Sequence, residues 1–143
     1  MRLSYPIRFT VDPSEPGVYN VQGLPPMDGV ITFGESLEEA RWMAKDALTG
    51  VLAAMLDRSL PIPRPPEVEG ENIQWIEPSA EVAIPILIRW AREEEHLTLS
   101  ELADRIGVTY QAIQKLERPG GNPSIKTLAK VAKALGRELQ IAI

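Results

Sequence analysis

Residues 97–117, LTLSELADRIGVTYQAIQKLE, constrain the fold more than any other part of the sequence. Thr98 and Glu101 have the spacing of a capping box, in which each residue binds a free amide of the other at the start of a helix. Gly107 supplies the left-handed residue that commonly ends a helix, and Thr109 can cap the next one. The segment therefore predicts two short helices joined by a tight turn.

The flanking residues predict a small helical domain around this pair. A helix is predicted from Ile86 to Glu95, with Pro85 at its first turn. Glu138 to Ile143 alternates apolar and polar residues and predicts a terminal strand. The apolar residues expected to form the core are Leu87, Trp90, Ala91, Leu102, Ala103, Ile106, Val108, Ile113 and Leu116.

The amino-terminal half predicts strands first and a helix afterwards. Strands are expected at Tyr5–Asp12, Val18–Val21 and Val30–Phe33, because the intervening segments are rich in Pro, Gly and Asp. Ser36 and Glu39 form a second capping-box pattern.

The helix that begins there should reach about Leu60, before the proline-rich segment from Pro61 to Asn72. Gly50 interrupts it and suggests close approach to a strand. Ile73–Glu77 could return as a fourth strand. The apolar stripe expected to cover the sheet comprises Ala40, Met43, Ala44, Ala47, Leu48, Val51, Leu52 and Met55.

Charge is distributed unevenly along the chain. The net charge is −5, but residues 1–97 carry −8 and residues 98–143 carry +3. A basic nucleic-acid-binding module attached to an acidic module that attracts a basic partner would have this distribution.

Composition narrows the function classes. The absence of cysteine excludes disulfides and thiolate chemistry, and a single histidine offers little for a metal. No cofactor, metal or catalytic residue is expected. The start of the chain does not resemble a signal peptide and no run of 18 apolar residues occurs, so we expect a cytoplasmic protein without a membrane partner.

The segment from Glu101 to Glu117 resembles the Cro/repressor (Xre-like) helix-turn-helix family. The similarity rests on ELA at Glu101–Ala103, the Gly-Val turn, Ile113 and Glu117, and continues in NPSIKTLAKVAKALG from Asn122 to Gly136. In such folds the second helix of the pair enters the major groove of DNA. The family often has glutamine where this chain has Leu99.

This resemblance implies two groups of DNA-binding residues. Base contacts are expected from the outward positions of the second helix, which are Tyr110, Gln111, Gln114 and Lys115. Phosphate contacts are expected from Thr109, Arg118, Asn122, Ser124 and Lys126. The terminal strand could pair with its copy through Leu139, Ile141 and Ile143, giving a homodimer or higher homo-oligomer on a palindromic site.

The order of elements along the whole chain resembles a HicB-type antitoxin. The similarity rests on YPIRFTVD, GVYNV, LPPMDGVITFGES, EEA at Glu38–Ala40, PIPRP and ALGRELQIAI. It implies an α+β protein with a partial ribonuclease H-like β-β-β-α-β domain over residues 1–78 and a helix-turn-helix domain over residues 79–143. It further implies neutralisation of a small basic ribonuclease toxin called HicA, and repression of the antitoxin's own operon.

Two alternatives belong to other classes. Asp12, Asp28, Glu35 and Glu39 could hold magnesium for phosphodiester hydrolysis, but capping and turns account for most of them, so we do not expect an enzyme. The amino-terminal domain could instead sense a small ligand in a one-component repressor. Trp42 and Trp90 are predicted to be core or interface anchors, and Trp75 to pack beside a strand.

Overall fold

A computed structural model describes residues 2–143. These residues form two compact units, Arg2–Ser79 and Ala80–Ile143. Within the described chain, no helix is both long enough and apolar enough to cross a membrane.

The first unit has the predicted β-β-β-α-β order. Its elements are β1 (Tyr5–Val11), β2 (Tyr19–Gly23), β3 (Ile31–Gly34), α1 (Leu37–Asp57) and β4 (Ile73–Ile76). The strands form one antiparallel sheet in the order β3-β2-β1-β4, in which Phe9 pairs with Val21 and Tyr5 with Ile76. The predicted meander and the predicted fourth strand are both confirmed.

Helix α1 covers one face of this sheet with residues that repeat every four positions. Ala40, Ala44, Leu48, Leu52 and Leu56 are buried on the helix, as are Tyr5, Ile7, Phe9 and Val21 on the sheet. A spacing of four keeps side chains on one side of a helix. The predicted apolar stripe is therefore correct in its position, although its flanking members Met43, Ala47, Val51 and Met55 are only half-buried.

The glycine that permits close packing is Gly34. A Cβ atom added to Gly34 would lie 2.3 Å from the backbone nitrogen of Ala40, whereas one added to Gly50 would meet nothing within 4 Å. Gly50 is exposed, so the predicted approach of a strand to it is wrong. The last residue of β3 must therefore be glycine, because any side chain there would collide with the backbone of the first turn of α1.

Both ends of α1 have local causes. Ser36 Oγ accepts a hydrogen bond from the Glu39 amide at 3.1 Å, as predicted, but the Glu39 carboxylate accepts from the Glu35 amide at 2.8 Å. The predicted capping box is therefore only half formed, because Glu39 binds the amide of Glu35 instead of the amide of the N-cap residue Ser36. The helix ends at Asp57 rather than Leu60, and Ser59 follows with a left-handed φ of 55°.

The second unit contains four helices. These are α2 (Ala80–Glu94), α3 (Leu99–Ile106), α4 (Tyr110–Leu116) and α5 (Ile125–Ala134). Helix α2 begins at Ala80, six residues before the predicted start, so Pro85 lies inside it rather than at its first turn. An internal proline removes a backbone hydrogen bond, but Val82, Pro85 and Ile86 are all buried, and this apolar burial offsets the loss.

One core joins these helices. It contains Ile88, Ala91, Leu97, Leu102, Ala103, Ile113, Leu116, Val131 and Leu135. Trp90 is also buried, as predicted, whereas Leu87 is half-buried. Val108 is 41% exposed, so its predicted core position is wrong. It directly follows Gly107, whose left-handed backbone redirects the chain.

Residues 138–143 do not form the predicted strand. Leu139, Ile141 and Ile143 are exposed. A strand needs a neighbouring strand for its backbone hydrogen bonds, and the four described strands pair only with one another. Residues 2–143 therefore offer no strand with which this alternating segment could pair.

Candidate nucleic-acid interface

Helix α3 begins and ends at the predicted caps. Thr98 Oγ1 accepts from the Glu101 amide at 3.1 Å, and the Glu101 carboxylate accepts from the Thr98 amide at 3.3 Å. Gly107 has a φ of 78°, and its amide donates to the Ala103 carbonyl at 2.9 Å. These bonds satisfy backbone groups that a short helix leaves free, and the left-handed Gly107 ends α3 three residues before α4 begins.

Helix α4 is anchored on one side and exposed on the other. Ile113 and Leu116 are buried, and Thr109 Oγ1 accepts from the Ala112 amide at 3.2 Å. The predicted base-reading residues share the outward side: Tyr110, Gln111 and Lys115 are exposed, and Gln114 is half-buried. Because Thr109 uses its oxygen as an acceptor, its hydroxyl proton stays free to be donated outward.

The predicted phosphate-contacting residues follow in the loop after α4 and at the start of α5. Arg118, Asn122, Ser124 and Lys126 are all exposed. Ser124 Oγ accepts from the Thr127 amide at 3.1 Å and caps α5. The first-turn amides of α5, the Ser124 hydroxyl and the Lys126 ammonium group therefore lie along one short stretch of chain, where the helix dipole favours an anion.

The sequence did not reveal the ion pair that anchors the end of α4. Arg92 donates from Nε to Glu117 Oε2 at 2.6 Å and from Nη2 to Glu117 Oε1 at 2.9 Å. Its Nη1 donates to the Leu97 carbonyl at 2.7 Å, and the hydrogen bond to Glu117 raises the pKa of Arg92. Glu117 marked the family resemblance, but no periodicity links it to a residue 25 positions earlier.

The acidic residues considered for magnesium have other roles or lie apart. Asp12 Oδ1 accepts from the Ser14 amide and hydroxyl, and Oδ2 accepts from Asn20. These bonds, led by the one from the Ser14 hydroxyl, hold the pKa of Asp12 well below its usual range. Among residues 2–143 no three His, Asp or Glu side chains are grouped so that they could hold a metal ion.

The three tryptophans differ in exposure. Trp90 is 5% exposed and belongs to the core, as predicted. Trp75 lies in β4 and is half exposed. Trp42 is 64% exposed on α1, so its predicted place in the core is wrong and only the alternative role as an interface anchor remains. His96 is exposed beyond the end of α2.

The two units also differ in charge. Arg2–Ser79 contains six Lys/Arg and twelve Asp/Glu, which gives −6, while Ala80–Ile143 contains nine and eight, which gives +1. Together with the capped helix pair and its exposed polar face, these features define a helix-turn-helix DNA-binding protein with an acidic α+β unit before it.

Comparison with known proteins identifies the family. Residues 4–89 match the family described as the HicB_like antitoxin of bacterial toxin-antitoxin systems, and residues 88–141 match a helix-turn-helix family. The chain belongs to the HicB antitoxin family. Both resemblances seen in the sequence are thereby confirmed.

Relatives match over nearly the whole chain. Antitoxin HicB 1 of Photorhabdus laumondii is 33% identical over 141 residues, which cover 99% of this chain and 87% of the relative. Antitoxin HicB of Escherichia coli K12 is 31% identical over 141 residues, 99% of both chains. An HTH-type transcriptional regulator of Methanothermobacter thermautotrophicus is 50% identical over 52 residues, 36% of this chain and 75% of its own.

Proposed function

We propose that this chain is the antitoxin of a type II toxin-antitoxin pair, which inhibits a HicA-like ribonuclease toxin and represses its own operon by binding operator DNA. The observation that carries the proposal is the presence of both family matches in one chain, residues 4–89 as HicB-like and 88–141 as helix-turn-helix. The proposal includes a regulatory rather than an enzymatic action, in the cytoplasm, where operator DNA and a ribonuclease toxin would both be met.

Operator DNA is read by α4. The exposed side chains of Tyr110, Gln111 and Lys115 point away from the core, and Gln114 lies half-buried beside them. Glutamine forms paired hydrogen bonds with adenine, lysine reaches guanine acceptors, and tyrosine contacts a thymine methyl group or a phosphate. Because the buried Ile113 and Leu116 fix the inner side of α4, these outward groups enter the major groove as a set.

Phosphate groups beside the groove are held by Thr109, Arg118, Asn122, Ser124 and Lys126. All five are exposed, and two of them cap helices whose amino-terminal ends favour anions. Such contacts fix the position of the protein on DNA without selecting a sequence.

Two copies are needed for tight operator binding. The helix-turn-helix unit carries only +1, so a single copy neutralises few phosphates. Leu139, Ile141 and Ile143 are exposed on a segment that pairs with no strand among residues 2–143, and we propose that they pair with the same segment of a second copy. A dimer or higher homo-oligomer would then occupy two half-sites.

The toxin is bound by residues 1–78, for which we propose the partial ribonuclease H-like fold that the resemblance implies. The β-β-β-α-β order and the charge of −6 over Arg2–Ser79 support this role. An acidic surface favours association with a basic ribonuclease and opposes association with nucleic acid.

The test expresses residues 1–78, residues 79–143 and the full chain separately. Each is assayed for rescue of cells that express the small basic protein encoded beside this chain's gene, and for binding to DNA upstream of that gene. We expect rescue by residues 1–78 and operator binding by residues 79–143 as a dimer. Binding of a small metabolite, with no rescue by any of the three, would favour the ligand-sensing repressor instead.

A further inference from the structure

The outer side of α1 carries a row of exposed residues that the fold does not use. Glu38, Trp42, Asp46, Gly50 and Ala54 are spaced four apart and all are exposed. They lie about 200° around the helix from the buried row that begins at Ala40. This outer row therefore faces away from the sheet.

Trp42 lies in the acidic part of the outer row. Its side chain is 64% exposed, and a shallow depression beside it is lined by Ser36, Glu38 and Glu39. Among the described residues, neither the Glu38 carboxylate nor the Asp46 carboxylate has a hydrogen-bond or ion-pair partner, although each lies one helical turn from Trp42. An exposed indole with a carboxylate one turn away on each side can bind an organic cation. The ring would contact the cation, and the carboxylates would neutralise its charge.

Gly50 gives a second, independent sign of an external partner. A Cβ atom at Gly50 would meet nothing within 4 Å, and its φ is not in the left-handed region. Glycine stabilises a helix less than alanine does, so no contact among the described residues favours glycine at this position. The missing side chain does allow another chain to approach the helix backbone closely. Ala54, one turn further along α1, has a small side chain and extends the region in which such an approach is possible.

We propose that the outer row of α1 is the surface that binds the basic toxin, through a segment that places Lys or Arg on Trp42 between Glu38 and Asp46 and then crosses α1 at Gly50. The inference rests on the proposed toxin neutralisation and adds the surface that performs it. The charge of −6 over Arg2–Ser79 attracts such a segment during approach.

Neighbouring charged residues are consistent with this assignment. Arg41 donates to Gln74 Oε1 at 2.7 Å, and the Glu39 carboxylate is bound to the Glu35 amide, so both are engaged within the unit. Lys45 is exposed beside the row and would repel a cationic segment. Lys45→Glu should therefore tighten binding to the toxin.

The decisive variant is Gly50→Gln, because it should weaken binding without harming the fold. The added side chain enters open space and improves helix propensity, so thermal unfolding should occur at the same temperature or higher. Blocking the close approach should raise the Kd for the toxin by about tenfold or more. Gly29→Gln is the matched control, since a Cβ atom at Gly29 also meets nothing within 4 Å.

A second pair of variants tests the indole. Trp42→Ala should weaken toxin binding by at least about tenfold, whereas Trp75→Ala should not. In a Trp75→Phe background, toxin should also protect Trp42 fluorescence from quenching by acrylamide. The toxin is the small basic protein encoded beside this chain's gene, with affinity measured by calorimetry.

The outcomes separate this inference from the proposed function. If the unaltered chain binds and rescues, and Gly50→Gln and Trp42→Ala do so equally well, the α1 surface is overturned while toxin neutralisation stands. If Trp75→Ala alone abolishes binding, the sheet face is the docking surface and the inference is also overturned. If the unaltered chain neither binds nor rescues, both proposals are overturned.

Discussion

Arg92 and Glu117 join the end of α2 to the end of α4 through two parallel hydrogen bonds of 2.6 and 2.9 Å. A third hydrogen bond, from Arg92 to the Leu97 carbonyl, also attaches the segment between α2 and α3 to this ion pair. The side chains are only 12% and 8% exposed. The pair therefore connects the helix proposed to read DNA with the rest of its unit, although neither residue is among those proposed to touch DNA.

Removing one member of this pair should destabilise the second unit. Glu117→Ala leaves the Arg92 guanidinium partly buried without its carboxylate, and the expected loss is about 3 kcal/mol in the free energy of unfolding. Arg92→Met with Glu117→Leu should restore much of that loss, since no charge is left unpaired. Urea unfolding followed by Trp90 fluorescence, with Trp42 and Trp75 replaced by Phe, measures both. A stability equal to that of the unaltered chain in Glu117→Ala would contradict this account.

Asp12 should titrate below the ordinary range of an aspartate, because Ser14 and Asn20 bind its charged form. A pKa lowered by folding contributes stability that is complete above the unfolded value of about 3.9 and is lost as the pH falls through the folded value. Carbon NMR of the Asp12 carboxyl should show a midpoint below about 3.9. Ser14→Ala should raise it, while Ser100→Ala, on an exposed site of α3, should leave it unchanged.

Features with a local cause could be predicted from the sequence. Ser36, Thr98 and Thr109 cap their helices and Gly107 adopts the left-handed turn, because each depends on residues within one helical turn. The strand and helix order follows from turn-forming residues and apolar spacing. The family resemblance then predicted that α4 faces DNA. The exposed polar side of α4 is consistent with that prediction.

Features with a distant cause could not be predicted. The partner of Glu117 lies 25 residues away and contributes no pattern. Trp42 and Val108 are apolar but exposed, since burial depends on where neighbouring elements pack. Alternation predicted a strand at residues 138–143, yet strand formation requires a partner that residues 2–143 do not provide.

Gln111 and Lys126 should have different effects on DNA binding. Gln111→Ala removes a proposed base contact and should cost about 1 to 3 kcal/mol on the operator alone. Lys126→Ala removes a proposed phosphate contact, so it should weaken binding to every sequence and reduce the salt slope by about one unit. Affinities for operator and random DNA across a salt series distinguish them. Equal losses on both DNAs would refute the role of Gln111.

The exposed terminal segment should control self-association. Replacing Leu139, Ile141 and Ile143 together with serine should convert the chain to a monomer in sedimentation velocity, because it removes the apolar groups proposed to pair across the two-fold axis. The fold of each unit should be preserved, since these residues are exposed. Ile125→Ser is the matched control: Ile125 is 66% exposed on α5, and its replacement should leave the dimer intact.

The same triple variant should weaken operator binding, and a comparison of the full operator with a single half-site distinguishes avidity from a direct contact. Two linked helix-turn-helix units bind the second half-site at a high effective concentration, so loss of dimerisation should lower operator affinity by about a hundredfold or more. Affinity for a single half-site should not change, because the side chains proposed to touch DNA remain in place. Reduced affinity for a single half-site would mean that the terminal segment itself contacts DNA. A monomeric variant that still bound the full operator tightly would show that one copy is sufficient.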